Sequence, residues 1–199
     1  MKMARPFLGI EKWARWGHIG RMDADGRKFK RKSIRLQGYD YSNQGAYFLT
    51  ICVNHWRLLL SEIKNELVIL NNAGEMIQKY WYKLPSKFPN IELDQFVIMP
   101  NHFHCILFIV GADPCVRPRN EEGTHKGVPL PTVIQWFKTM TTNEYINGVK
   151  YLDWPSFERR LWQRNYYEHI IRNDDDLNAT RQYILNNPIN WAKDEFYVE

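Results

Sequence analysis

Phe96-Val97-Ile98-Met99-Pro100-Asn101-His102-Phe103-His104-Cys105-Ile106-Leu107-Phe108-Ile109-Val110 is the stretch whose reading decides the fold. It holds the end of one apolar strand, a Pro-Asn turn pair and a second apolar strand interrupted by two histidines. A strand sends alternate side chains to opposite faces, so His102 and His104 share one face and Phe103 enters the opposite layer. An apolar strand has no packing reason to carry two imidazoles in register, because each buried polar ring needs a partner. Side by side they make half of a metal site. The competing reading is a pair of hydrogen-bonded core or strand-end histidines.

Outward from this stretch, residues 91–99 form the strand before the turn. Residues 46–53 are dense in aromatic and β-branched side chains and read as another strand. Residues 66–70 read as a short strand in a local hairpin. Asn71 or Asn72 can cap a helix running to about Leu84, with Met76, Ile77, Tyr80 and Trp81 on one stripe and Pro85 as its stop. Residues 111–127 are polar, charged and Pro-containing, and read as a loop. A helix over 131–146 follows, with Val133, Trp136, Phe137 and Met140 facing the core, and then a last strand over 161–169. Asp174-Asp175-Asp176 opens a final helix with acid in its first turn, which ends near Asn186, before Pro188. This order predicts an α+β fold: a ferredoxin-like split βαβ antiparallel sheet with helices on one face and an extra C-terminal helix.

The bulk properties narrow the class. The 199 residues suit one sizeable domain, and 44% hydrophobic with 25% charged residues is ordinary for a globular chain. An aromatic fraction of 15% beside a net charge of +5 suits a nucleic-acid binder, since cations neutralise phosphates and rings stack on bases. Cys52, Cys105 and Cys115 are an odd set without CxxC spacing, which argues against a disulfide framework and a structural zinc cluster. No run approaches the ~18 apolar residues of a membrane span, and the N-terminus lacks the apolar core of a signal peptide. The expected location is the cytoplasm. Residues 1–38 read as a basic N-terminal arm, clustered at Arg27-Lys28-Phe29-Lys30-Arg31-Lys32-Ser33-Ile34-Arg35. Residues 39–199 form the main domain.

The C-terminal helix offers a second half for the site. Tyr183 and Asn187 are four apart and share a helix face, provided that Asn187 is still helical. Two imidazoles and an amide oxygen can hold a divalent ion with open positions for phosphate oxygens, and a tyrosine can supply the nucleophile. Tyrosine needs help to ionise, because its ordinary pKa is about 10. On periodicity alone Tyr183 also reads as a packing residue, and Tyr166 and Tyr167 compete with it.

These residues bring the chain to a family. His102-Phe103-His104 looks like the HUH motif (histidine, hydrophobe, histidine) of single-tyrosine DNA nucleases. Together with residues 33–41, 97–104, Leu161-Trp162-Gln163-Arg164 and Tyr183-Ile184-Leu185-Asn186-Asn187-Pro188, it resembles the REP-associated tyrosine transposases. The resemblance spans residues 33–191, while residues 1–32 fit no part of the pattern. It implies a nuclease that cuts single-stranded DNA, forms a 5′-phosphotyrosine link and reverses it in strand transfer. It also implies a divalent metal, Mg²⁺ or Mn²⁺, held by His102, His104 and Asn187, with Tyr183 as nucleophile on the C-terminal helix. Trp162, Gln163, Arg164 and Arg172 are then candidate DNA contacts, as are Arg31, Lys32 and Arg35 of the arm. The implied partner is single-stranded or hairpin DNA, bound by a monomer or a homodimer. The alternatives are a domesticated DNA-binding protein that no longer cuts, a rolling-circle initiator or relaxase, and a metal-dependent hydrolase that uses water.

Overall fold

The computed structural model describes residues 39–111 and 128–198. Contacts divide the chain after Tyr39, and every element below belongs to Asp40–Glu199. Arg31, Lys32 and Arg35, and most of the loop expected over 111–127, lie outside the described residues.

The strands are β1 (Gly45–Cys52), β2 (Ser61–Lys64), β3 (Leu67–Leu70), β4 (Ile91–Ile98), β5 (His102–Ile109) and β6 (Tyr167–Ile171). The helices are α1 (Asn72–Tyr82), the single turn α2 (Leu84–Lys87), α3 (Leu130–Tyr151) and α4 (Asp174–Asn186). Strands β2 and β3 pair as a separate hairpin, and the main sheet runs β4-β5-β1-β6, antiparallel throughout. The connection from β1 to β4 carries α1 and skips β5, and that from β5 to β6 carries α3 and skips β1. Strand β4 turns directly into β5, which completes the split βαβ arrangement that the sequence predicts.

Period-two alternation divides the sheet's surroundings. On one face, Phe103 meets Trp81 of α1 at 5.3 Å and stacks on Phe137 of α3 at 5.6 Å. On the other, Ala46, Phe48, Ile106 and Ile171 pack with Ile184, Leu177 and Tyr183 of α4. Thus α1 and α3 cover one face, and α4 covers the face that carries His102 and His104. Asn71 caps α1, its side chain accepting from Ala73 N and Gly74 N at 3.0 Å each, and Asn173 caps α4 by accepting from Asp176 N at 2.8 Å.

Three element boundaries differ from expectation. Helix α1 stops at Tyr82, and Pro85 sits inside the following turn α2, where a missing N–H costs nothing. Helix α3 runs to Tyr151, past 146. The last strand occupies Tyr167–Ile171 rather than 161–169, and Trp162 makes only an isolated bridge to Val53. Aromatic density there reflects core packing of Leu161 and Trp162, not a strand. No helix among the described residues is long and apolar enough to cross a membrane.

Candidate active site

Strand β5 sets the first two groups. His102 and His104 are both buried, with ring centroids 4.4 Å apart. Register places Thr50 of β1 directly opposite His104, and Thr50 Oγ1 lies 2.8 Å from His104 Nδ1. His102 Nδ1 lies 2.9 Å from Asn101 Oδ1. Both rings therefore use Nδ1 within the protein. His102 Nε2 is buried without a hydrogen-bond partner among the described residues, and His104 Nε2 has Tyr183 Oη at 3.5 Å.

Helix α4 delivers the next two. Asn187 keeps helical backbone angles (φ −59°, ψ −42°), so Pro188 does not pull it out of register and it shares a face with Tyr183. The Tyr183 ring lies edge-on to Phe48 at 5.9 Å and 5.3 Å from the His104 ring. The buried Asn187 Oδ1 has no hydrogen-bond partner among the described residues, while its Nδ2 donates to Asp194 Oδ2 at 3.1 Å. An ion pair holds the helix in place: Arg181 donates Nε to the Asp94 carboxylate at 3.0 Å. Asp94 lies where β4 bulges between Leu93 and Phe96.

A fifth group, Asp194, escapes sequence reasoning. One ring nitrogen of each histidine and an Asp194 carboxylate oxygen lie within 4.8 Å of one another. Asp194 follows the 3₁₀ turn Trp191–Lys193 and also accepts from Phe196 N at 2.7 Å. Phe196 stacks on Trp56 at 4.9 Å and sits 4.9 Å from the His102 ring, so this segment covers the histidines. Trp56 and its neighbour His55 both have φ of 57°, left-handed backbone that side chains other than glycine adopt only with support.

The electrostatics suit a cation. Burial pushes the His104 imidazole down to about 3. His102 is lowered too, by burial and then by His104, with the Asn187 amide opposing. Both rings are thus neutral at pH 7, as metal ligation requires. Burial raises the Tyr183 phenol, and Asp194 and Glu195 raise it further. Burial also raises Asp194, against hydrogen bonds from Phe196 N and Asn187. Two neutral imidazoles, the Asn187 amide oxygen and the Asp194 carboxylate match the donor set of a divalent ion.

The other candidate residues lie elsewhere. Trp162 is only 4% exposed, packs 6.4 Å from Phe137 and donates its indole N–H to Thr141 Oγ1 at 2.9 Å, so its ring is part of the core. Gln163 is half-buried, its backbone N–H donating to Cys52 O at 2.9 Å. Arg164 and Arg172 are exposed.

No family model matches the chain. An uncharacterised protein of Haemophilus influenzae is 36% identical over 176 residues, covering 85% of this chain and 94% of its own length. The REP-associated tyrosine transposase of Escherichia coli K12 is 23% identical over 155 residues, 77% of this chain and 73% of that protein. Among solved structures, a REP-associated tyrosine transposase bound to a REP hairpin superposes with a TM-score of 0.51 at 20% identity. That match covers 80% of this chain and 74% of the other, and shows a shared fold.

Proposed function

We propose that the chain, which is similar to REP-associated tyrosine transposases, is one of them: a metal-dependent nuclease and strand transferase for single-stranded, hairpin-forming DNA. One observation carries the reading: Tyr183 Oη stands 3.5 Å from His104 Nε2, beside Nε2 of His102 and Oδ1 of Asn187, which have no hydrogen-bond partner among the described residues. A nucleophile, two neutral imidazoles and an amide oxygen converge from β5 and α4.

In this reading His102, His104 and Asn187 hold Mg²⁺ or Mn²⁺, and Asp194 adds a carboxylate. The bound cation would supply Lewis-acid polarisation of the scissile phosphate. Tyr183 forms a bond to phosphorus as the bond to the 3′-oxygen breaks, and the phenolic proton is balanced by the released 3′-hydroxyl. The phosphotyrosine ester keeps the energy of the broken linkage, so rejoining needs neither water nor nucleotide triphosphate. Phe48 and His104 fix the phenol's direction by ring contact, and the Arg181–Asp94 pair fixes the helix that bears it. Exposed Arg164 and Arg172, with Arg31, Lys32 and Arg35 of a basic arm ahead of a domain beginning near residue 39, contact DNA phosphates. The Trp162 and Gln163 contribution is then to support the Arg164 segment. The protein works in the cytoplasm.

The test is a denaturing gel of protein with labelled hairpin-bearing single strands, Mn²⁺ and the Tyr183→Phe variant. A labelled protein band absent from Tyr183→Phe is expected. Cleavage without such a band, unchanged by the substitution, would favour metal-activated water and overturn the reading.

A further inference from the structure

We infer that Asn101 is a positioning residue: it selects the tautomer of His102 and thereby the nitrogen that His102 presents to the site. The inference rests on the metal-site reading for its consequence, but its physical basis is independent of it. Asn101 is fully buried. Its amide group has three polar neighbours: His102 Nδ1 at 2.9 Å from Oδ1, and Phe196 O at 2.7 Å and Trp56 O at 3.3 Å from Nδ2.

The two backbone carbonyls can only accept, so the amide N–H₂ must face them. The reverse amide orientation would bring Oδ1 against a carbonyl oxygen at hydrogen-bond distance, with no hydrogen between. Oδ1 therefore faces the imidazole, and Oδ1 can only accept. The hydrogen of this contact must come from His102, which places it on Nδ1 and leaves the lone pair on Nε2. That nitrogen is buried beside the Asn187 side chain and has no hydrogen-bond partner of normal geometry among the described residues.

Thr50 gives no comparable selection at His104. Its hydroxyl can donate or accept across the 2.8 Å contact, so either tautomer satisfies it. Asn101 differs because Trp56 and Phe196 dictate its orientation. The strained Trp56 backbone and the C-terminal segment thereby acquire a chemical role: their carbonyls fix an amide, which fixes a ring. The main chain adds rigidity, Val53 N donating to Asn101 O at 2.8 Å. Outer groups that hold a ligating histidine in one tautomer are worth about 10–100-fold in metal affinity.

The experiment is imidazole nitrogen–proton correlation NMR on the metal-free full chain at pH 7, with His102→Ala assigning the ring, and Mn²⁺ titration of the same samples. His102 is expected as the Nδ1–H form. Asn101→Leu should abolish that preference and weaken Mn²⁺ binding about 10–100-fold. Asn101→Asp keeps an acceptor for Nδ1–H and should retain the tautomer, while losing the bonds to Phe196 O and Trp56 O. An Nε2–H form in the wild type would overturn the inference, with no variant needed. So would Asn101→Leu leaving both tautomer and Mn²⁺ affinity unchanged. A wild type that shows Nδ1–H but binds no Mn²⁺ would uphold the tautomer selection and sink the metal-site reading instead.

Discussion

At the scale of single residues, the histidines of β5 were legible because strand periodicity is strict and neither ring belongs in an apolar run. Asp194 was not, because it lies on an irregular segment beyond Pro188, where no period connects a residue to a face. Trp162 reads equally as a base-stacking ring and as a core ring, because an exposed ring and a buried one look alike in sequence. Its hydrogen bond to Thr141, 21 positions away, decides the matter and is a tertiary fact. Lys138 yields a prediction about pH. Its ammonium donates to Gln163 O and Asn165 O at 3.0 Å each, and burial pushes it down to about 8 from 10.5. Between those values the unfolded chain holds a proton that the folded chain has released, so raising the pH through this window favours folding. Relative to Lys138→Met, the wild type should gain on the order of 1–3 kcal/mol from pH 8 to pH 10.5 in urea melts. Groups that titrate in both proteins cancel in that difference, and a difference that stays flat would contradict the burial argument.

At the scale of elements, the strand and helix order was readable from periodicity and stop signals, and the split βαβ topology followed from it. Periodicity alone did not say which sheet face α4 covers, because β1 is apolar on both faces. Only the site reading, which joins Tyr183 and Asn187 to His102 and His104, put it on the histidine face. The β4 bulge settles part of it by placing Asp94 where Arg181 can reach. Arg181→Ala should loosen α4 selectively. Global stability is expected to fall by about 1 kcal/mol, since the guanidinium is partly exposed. Amide exchange should speed up in α4 but not in α1 or α3. Uniform acceleration across all helices would show that the pair is not a local latch. Asn173→Ala, which removes the α4 cap, should cost a similar ~1 kcal/mol.

At the scale of the molecule, the site is a meeting of three parts of the chain: β5 with its turn, the tyrosine helix, and the C-terminal segment. A ligand that binds only this assembled state must stabilise it. Mn²⁺ at 100 times its Kd should add about 2.7 kcal/mol, read as a rise in Tm that a chelator reverses. The rise should vanish in His102→Ala and shrink in Asp194→Asn; an equal rise in all three proteins would place the ion elsewhere. The central claim is that Tyr183 becomes joined to DNA, and peptide mass spectrometry of the denatured, nuclease-trimmed adduct tests it most directly. The account predicts a nucleotide phosphate on the peptide that contains Tyr183. Its appearance on Tyr166 or Tyr167, or cut DNA with no modified peptide, would contradict it.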